Sequence, residues 1–341
     1  MRLVAAKRIA LVLAGAVAKG AYTAGVIQAL VHSEVEIVRI VAASSGALNG
    51  TLLASGIHAR EVQRAADQLV EVWTDHADWN QIFHVSFSDL FRGEGISDDK
   101  RVIALLREYI KPHEGPSDPI DLRLVVAPLH GSTGTIGSQP ATTFEHVLGF
   151  SGAAFDSAQS LESLFSAAAA SAALPVVFSP VEVAIDQLGP CVDGGTVNNT
   201  PIKWALEGSI GHSVDAIVVV TTTPETMPPV PESQVIAGTH LVSRVAELLI
   251  NERLYRDLRE ATTVNAQLHA LAGLRAKHGD AAIDDVLAAL AWQDRREVDI
   301  VTIRPSESLS GTAFSGFFDR ALRERYIAIG RDDAQRIIEI A

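Results

Sequence analysis

Short runs of consecutive apolar residues alternate along the chain with longer segments that carry apolar residues at helical spacing. The runs at residues 7–14 and 36–43 are each followed by such a segment, at residues 20–32 and from Gly46 onward. Continuous apolar runs are typical of parallel strands, because helices cover both faces of a parallel sheet. Two strand–turn–helix units this close together predict an α/β protein with a mainly parallel central sheet.

The same pattern extends through the middle of the chain. Residues 121–128 and 215–220 predict two more buried strands, and residues 60–111 are mostly helical in character. Residues 163–173 are nearly all alanine and serine, and they predict a helix that packs closely on the sheet. Residues 131–143 are rich in glycine, serine and threonine and predict a loop.

The last third of the chain is predominantly helical in character, with one more strand predicted at residues 297–303. The helices are predicted at residues 239–274, 280–292 and 317–340. The proline-rich stretch at residues 224–232 is the best candidate for a hinge. We expect a core of residues 1–222 and a mostly helical extension of residues 223–341 that packs on it as one compact unit.

Composition and charge restrict the classes of partner. The chain has 341 residues, of which 48% are hydrophobic and 20% charged, and this is enough apolar material for a large folded core. The net charge of −13 argues against a nucleic-acid partner and against electrostatic adhesion to anionic membranes. Apolar contact with a lipid surface stays open. The single cysteine, Cys191, forms no intrachain disulfide, and we interpret it as a packed core residue.

The stretch "LVLAGAVAKGAYTAGVIQAL" at residues 11–30 has three interpretations. Lys7 and Arg8 before an apolar run, with a small-residue "AVA" after it, are typical of a secretory signal peptide. The stretch also fits an ordinary strand and helix, or a turn whose backbone N–H groups bind an anion. Apolar residues continue at helical spacing after Gly20, which favours a strand–turn–helix unit. We therefore expect a cytoplasmic protein rather than a secreted one.

The stretch "VAASSGALNG" places Ser44 on a sharp turn between a predicted strand and helix. Ala42 lies two residues before this serine and Gly46 two residues after it. Small residues at both positions are typical of a nucleophile elbow, G-x-S-x-G, which exposes the serine hydroxyl. The alternative is a serine that caps a helix.

The stretch "CVDGGTVNNTPIKWA" places Asp193 immediately before two glycines. An Asp-Gly pair is typical of an ordinary turn. A serine hydroxyl becomes a good nucleophile only when a base accepts its proton, and a partly desolvated carboxylate can do this. None of the 11 histidines lies in a comparable motif, so Asp193 is the best candidate for the base.

Four segments in order resemble the motifs of the patatin-like phospholipase family. They are "AGAVAKGAY" for the glycine-rich oxyanion motif, "AASSGALN" for the elbow, "ASAALPVVFSPVEV" for the segment before the acid and "VDGGTVNNTPI" for the acid motif. The resemblance covers residues 7 to about 222. It implies a three-layer α/β/α sandwich and a Ser–Asp dyad without histidine, usually without a metal, so we expect no cofactor.

The resemblance implies a role for each matching residue. Ser44 is the nucleophile, and Asp193 is its base, first toward the serine and then toward water. Attack of Ser44 on an ester forms an acyl-enzyme and releases an alcohol or a lysolipid, and water then frees the fatty acid from the acyl-enzyme. The substrates implied are phospholipids, lysophospholipids and other acyl esters, met at a membrane or micelle surface. The backbone of Gly15, Ala16 and Val17 forms the oxyanion hole, supported by Lys19, Gly20, Gly46, Gly194 and Gly195.

The glycine-rich motif is where this chain departs from the family pattern, because Ala16 and Val17 replace two of the three glycines. A β-branched residue is strongly disfavoured at positive φ. One outcome is that the residues of the turn adopt negative φ, the amides still point at the substrate carbonyl, and the pocket is narrower. The other is that the oxyanion hole is misformed. We expect a working, selective hydrolase. The alternatives are a non-catalytic protein that binds acyl lipids on the same fold, and an acyltransferase that uses the same dyad.

An aromatic-rich stretch follows the predicted second helix. It contains Trp73, Trp79, Phe83, Phe87, Leu90 and Phe91. We interpret these residues as core packing. The alternative is a lid or a lipid-contacting surface over the active site, because exposed apolar patches often mark such surfaces.

Overall fold

A sheet covered by helices on both faces forms the centre of the molecule. The computed structural model describes residues 8–33, 35–83, 97, 99–136, 139–175, 177–211, 213–224, 239–290, 292 and 295–340. The strands are β1 (Arg8–Leu13), β2 (Glu36–Ala42), β3 (Asp121–Pro128), β4 (Ser132–Ile136), β5 (Gln139–Thr143), β6 (His146–Ser151), β7 (Val181–Val183), β8 (Gly189–Asp193), β9 (Ala216–Val220) and β10 (Asp299–Ile303).

The helices connect these strands and extend the chain beyond the sheet. They are α1 (Gly20–Val31), α2 (Ser45–His58), α3 (Val62–Glu71), α4 (Trp79–Ile82), α5 (Lys100–Tyr109), α6 (Ala158–Ser171), α7 (Gly195–Asn198), α8 (Gly208–Gly211), α9 (Thr239–His278), α10 (Asp280–Ala289) and α11 (Arg320–Ile340). A 3-10 turn, Val17–Lys19, precedes α1, and a π-helical turn, Val72–His76, follows α3.

The central sheet has the strand order β10-β9-β1-β2-β3-β8-β7, and β6 also pairs with β3. Strands β10, β9, β1, β2 and β3 run parallel, whereas β6 and β8 run antiparallel to β3. The fold class is therefore mixed α/β with a mainly parallel sheet, as the alternating pattern predicts. The parallel strands put their carboxyl ends at one edge, which is where binding sites form in open α/β sheets.

Successive residues of β1 point to opposite faces of the sheet. Ile9, Leu11 and Leu13 pack into a large core beneath α1, α2 and α6. Ala10 and Val12 pack into a second, smaller core that also contains residues of β2 and β9 and Val298, the residue before β10. The three layers therefore follow from the period-two alternation of a strand that is apolar on both faces.

The C-terminal helix α11 packs directly against α1 through two glycines. A Cβ atom added at Gly25 would clash with the backbone of Ile327, and one added at Gly330 would clash with the backbone of Tyr22. The Tyr22 hydroxyl also donates to the buried Asp333 carboxylate at 3.3 Å. The chain after residue 223 also supplies β10 to the central sheet.

Most predicted elements form close to their expected positions, with one clear exception. The loop predicted at residues 131–143 is wrong, because β4 and β5 pair there as an antiparallel hairpin. Threonine-rich strands on the surface lack a continuous apolar run, so their composition is typical of a loop. The hinge predicted at residues 224–232 lies largely outside the described residues. None of the described helices is both long and apolar enough to cross a lipid bilayer.

Candidate active site

Ser44 lies in a strained turn between the end of β2 and the start of α2. Its backbone has φ 55° and ψ −135°, a conformation that non-glycine residues rarely adopt. Its N–H donates to the Ser171 hydroxyl at 3.1 Å. Gly46 is required two residues later, because a Cβ atom there would clash with the carbonyl of Leu13 on β1. The turn therefore presents the Ser44 hydroxyl at the carboxyl edge of the sheet.

Strand register brings Asp193 to the same level of the sheet as Ser44. Ala42 of β2 pairs with Leu124 of β3, and Val126, two residues further along β3, pairs with Asp193 of β8. Ser44 lies two residues beyond Ala42, so the serine and the aspartate lie at the same level along β3. The Ser44 hydroxyl donates to Asp193 Oδ2 at 2.6 Å.

Both side chains are buried, with exposed fractions of 7% for Ser44 and 2% for Asp193. Burial raises the pKa of Asp193 to about 7, although hydrogen bonds from the Ser44 hydroxyl and from the Gly195 N–H lower it. The Gly195 N–H donates to Asp193 Oδ1 at 2.6 Å. In the described part of the chain, no histidine forms a hydrogen bond with either side chain. A carboxylate with a pKa near neutrality is suited to accept a proton.

The turn after β1 faces Ser44 from the neighbouring strand. A Cβ atom at Gly15 would clash with the side chain of Ser44, so only glycine fits there. The Gly15 N–H donates to Asn199 Oδ1 at 3.0 Å, and the Ala16 N–H donates to the Ser45 hydroxyl at 3.0 Å. Two of the three amides predicted for the oxyanion hole therefore have acceptors within the protein. The prediction that this turn binds an oxyanion stays a prediction.

Val17 is the residue at which the turn is strained. Its φ is 52°, in the left-handed region that a β-branched residue is expected to avoid. Among the described residues its N–H has no acceptor, whereas the Ala18 N–H donates to the carbonyl of Ala313 at 3.0 Å. The expectation of a negative φ at Val17 is therefore wrong, because contacts on both sides hold the valine at positive φ.

The remaining predicted residues lie around this pair. Lys19 ends the 3-10 turn, and Gly20 begins α1 where a Cβ atom would lie 2.5 Å from the Trp73 ring. Gly194 packs against the backbone of β3, so a side chain there would clash with Val125. The glycines of the sequence motifs therefore mark positions that the tight packing around the site requires to be small.

Several residues that position the site are not singled out by the sequence analysis. Asn199 holds Gly15 through both of its amide atoms, since its Nδ2 also donates to the carbonyl of Gly15 at 3.0 Å. The Ser45 and Ser171 hydroxyls accept from the turn and from Ser44, respectively. Asn199 lies in the "VNNTPI" tail of the acid motif, and this position is the feature of the sequence from which its role could have been predicted. Ser171 lies in a low-complexity helix and carries no such signal.

A narrow apolar pocket opens beside Ser44 and Asp193. Its free volume is about 100 Å³, and most of its wall comes from α2, α5, the π-helical turn and residues 172–178, with Phe314 and Phe317 added from the C-terminal segment. Its lining is mostly aliphatic and aromatic, and Ser44, Ser45, Asn49 and Asp193 are among its few polar residues. Such a cavity suits an acyl chain, because apolar walls with a few polar groups are typical of sites for apolar ligands.

Part of the predicted aromatic stretch contributes to this pocket. Trp73 and Phe83 are buried and line it, while Trp79 stacks on Phe83 with ring centroids 4.1 Å apart. Trp79 also stacks on Phe318, whose side chain is 66% exposed. The other members of the stretch, Phe87, Leu90 and Phe91, lie outside the described residues.

Cys191 is fully buried on β8, and burial raises the pKa of its thiol to about 11. A buried thiol of this kind is mostly protonated at neutral pH and is a poor nucleophile. Its interpretation as a core residue is confirmed.

Comparison with known proteins identifies a family and gives matches among the solved structures. A family model described as patatin-like phospholipase matches residues 11–206. A search of the curated proteins gives no match. The structure of VipD from Legionella pneumophila is 13% identical, with a TM-score of 0.40 over 98% of this chain and 67% of that chain. The type III effector protein ExoU is 13% identical, with a TM-score of 0.32 over 98% of this chain and 53% of that chain, so this chain spans about half of its length.

Proposed function

The chain belongs to the patatin-like phospholipase family, and from that premise we propose that it is a serine acyl hydrolase acting on fatty-acyl esters of phospholipids or related lipids. Family membership supports a lipid hydrolase in general. The more specific proposal, that Ser44 is the nucleophile and Asp193 its base, rests on the 2.6 Å hydrogen bond from the Ser44 hydroxyl to the buried Asp193 carboxylate. The apolar pocket beside this pair supports an acyl chain as the bound group.

In the proposed reaction, Asp193 accepts the proton of Ser44 as the serine oxygen attacks the ester carbonyl. The tetrahedral intermediate collapses to an acyl-enzyme, and the proton on Asp193 passes to the departing alcohol or lysolipid. Asp193 then accepts a proton from water, which attacks the acyl-enzyme to give a second tetrahedral intermediate. As this intermediate collapses, the fatty acid leaves and the proton returns from Asp193 to the Ser44 oxygen, which regenerates the free serine. A pKa of about 7 lets one carboxyl act as base and acid in turn near neutral pH.

The oxyanion of the intermediate needs N–H donors that are free to bind it. The Val17 N–H has no acceptor among the described residues, and neither does the N–H of Ser45, the residue after the proposed nucleophile. Ser45 also begins the 14-residue helix α2, whose N-terminal dipole favours negative charge. We assign these two amides to the oxyanion and give Gly15 and Ala16 the role of holding the turn. Each donor of this kind contributes roughly 3–4 kcal/mol to catalysis.

The test is hydrolysis of p-nitrophenyl esters and of phosphatidylcholine vesicles by the wild type and Ser44→Ala. We expect Ser44→Ala to lower kcat/KM by at least about a thousandfold, since removing a nucleophile leaves only binding and oxyanion contributions. Ser55→Ala is the matched control, because Ser55 lies on the same helix and its hydroxyl donates only to the Leu52 carbonyl. Equal rates for Ser44→Ala and Ser55→Ala would favour the non-catalytic alternative, a protein that binds acyl lipids.

A further inference from the structure

Val17 combines a strained backbone with a side chain in the pocket. Its φ of 52° is unfavourable for any residue with a Cβ atom and worst for a β-branched one. Glycine, which the family motif has at this position, adopts this φ without strain. The half-buried valine side chain lines the pocket together with Ser44 and packs against the core.

The strained conformation is held by hydrogen bonds on both sides of Val17. The Ala16 N–H is bound by the Ser45 hydroxyl on α2, and the Ala18 N–H is bound by the Ala313 carbonyl. Phe314, the residue after Ala313, lines the same pocket. The contacts that fix the backbone of Val17 therefore also place its side chain in the wall of the pocket that Ser44 lines.

We propose that Val17 is a specificity-determining residue: its isopropyl group narrows the pocket beside Ser44 and favours acyl groups that are unbranched next to the carbonyl. The inference deepens the proposed hydrolase function and rests on it for the identity of the bound group. The turn contacts Ser44 through Gly15, which has no side chain, so Val17 is the first residue of the turn that contributes a branched side chain to the pocket. A methyl branch on the acyl carbon next to the carbonyl competes with that side chain for the same narrow space.

The kinetic test compares two isomeric esters, p-nitrophenyl butyrate and p-nitrophenyl 2-methylpropanoate. The quantity measured is the ratio of kcat/KM for the linear ester to that for the branched ester. We expect Val17→Gly to lower this ratio at least about tenfold, the discrimination that one misplaced methyl group produces in a tight site. Val72→Gly is the control, because Val72 lines the same pocket from an ordinary backbone conformation, φ −55°. An unchanged ratio in Val17→Gly, or an equal fall in Val72→Gly, overturns the inference.

A binding measurement separates this inference from the proposed reaction. Calorimetric titration of octanoate and of its isomer 2-propylpentanoate is carried out on Ser44→Ala and on the double variant Ser44→Ala/Val17→Gly. We expect Ser44→Ala to bind octanoate more tightly and the double variant to lose that preference. This result without Ser44-dependent hydrolysis would support the inference as a binding selectivity and contradict the hydrolase. No difference between the two proteins, including no binding by either, overturns the role of Val17.

Discussion

The backbone N–H of Ala18 donates to the carbonyl of Ala313 at 3.0 Å. This hydrogen bond joins the turn beside Ser44 to the segment that leads into α11. Phe317 of the same segment lines the apolar pocket. Because the family model ends at residue 206, part of the environment of Ser44 comes from outside the matched region.

The docking of α11 on α1 is therefore expected to stabilise the fold on which the site depends. Gly330→Ala places a Cβ atom 2.1 Å from the backbone carbonyl oxygen of Tyr22, a residue within the helix α1. We expect the free energy of unfolding to fall by about 1–3 kcal/mol, as for other overpacked contacts. Urea denaturation followed by circular dichroism measures this change.

The matched control is Gly273→Ala on α9, where an added Cβ atom meets nothing within 4 Å. Because alanine is the better helix former, we expect this variant to gain about 0.5–1 kcal/mol. If Gly330→Ala is as stable as Gly273→Ala, the close glycine contact between α1 and α11 is not present in solution.

The pH dependence of the proposed reaction follows from the raised pKa of Asp193, about 7. Only the ionised carboxylate accepts the proton of Ser44, so activity requires the deprotonated form. We expect kcat/KM to rise through an apparent pKa of about 7 and to reach a plateau above it. Initial rates with p-nitrophenyl butyrate, corrected for spontaneous hydrolysis, measure the profile. A rate that is flat between pH 5 and pH 9 would contradict Asp193 as the base.

The same raised pKa has a cost in stability. Between the ordinary aspartate pKa of 3.8 and the folded value of about 7, the folded protein keeps a proton that the unfolded chain has released. The contribution of Asp193 to the free energy of unfolding therefore falls as the pH rises through that window. Above the pKa of the folded protein, the contribution is lost completely. Ionisation of the buried Asp193 carboxyl at pH 8 therefore lowers the free energy of unfolding by up to about 4 kcal/mol, and Asp193→Asn avoids this loss.

We expect Asp193→Asn to be inactive, and at pH 8 to be more stable than the wild type, with the difference shrinking toward pH 4. Thermal unfolding at several pH values measures it. Asp332→Asn, at an exposed position of α11, is the control for loss of one negative charge. A difference between Asp193→Asn and the wild type that grows as the pH falls would contradict burial as the cause of the shift.

Asn199 is expected to act as a positioning residue through Gly15. Asn199→Ala leaves the N–H and the carbonyl of buried Gly15 without their partner, at a cost of about 1–3 kcal/mol in unfolding free energy. Because the turn then loses its fixed geometry, we expect kcat to fall more than KM rises. Asn198→Ala is the neighbouring control, since the Asn198 amide donates to Glu145 instead of the turn. Equal falls in kcat for the two variants would contradict the role of Asn199.

The strain at Val17 has a measurable consequence for stability. Val17→Gly and Val72→Gly each remove a half-buried valine side chain, but only the first relieves a positive φ. We expect Val17→Gly to cost less unfolding free energy than Val72→Gly by about 1–3 kcal/mol, the strain of an unfavourable backbone conformation. Chemical denaturation of both variants measures the difference. An equal loss would show that the turn relaxes in solution.

Much of the fold follows from local patterns in the sequence. The strands and helices around Ser44 follow from apolar runs and small residues whose effects act within a few positions. The antiparallel strands are less visible in the sequence, because β6 alternates buried and exposed residues and β7 has only three residues. The β4–β5 hairpin was predicted as a loop for the related reason that its threonines carry no apolar run.

The sequence by itself determined the order of the elements, the sharp turn at Ser44 and the choice of Asp193 as candidate base. The tertiary structure alone decided three further features. They are the register that brings Asp193 Oδ2 to the Ser44 hydroxyl, the hydrogen bonds that occupy the amides of Gly15 and Ala16, and the positive φ of Val17. The physical reason is distance along the chain. Local propensity disfavours a valine at positive φ, and only contacts from remote segments, such as the Ala313 carbonyl, hold it there.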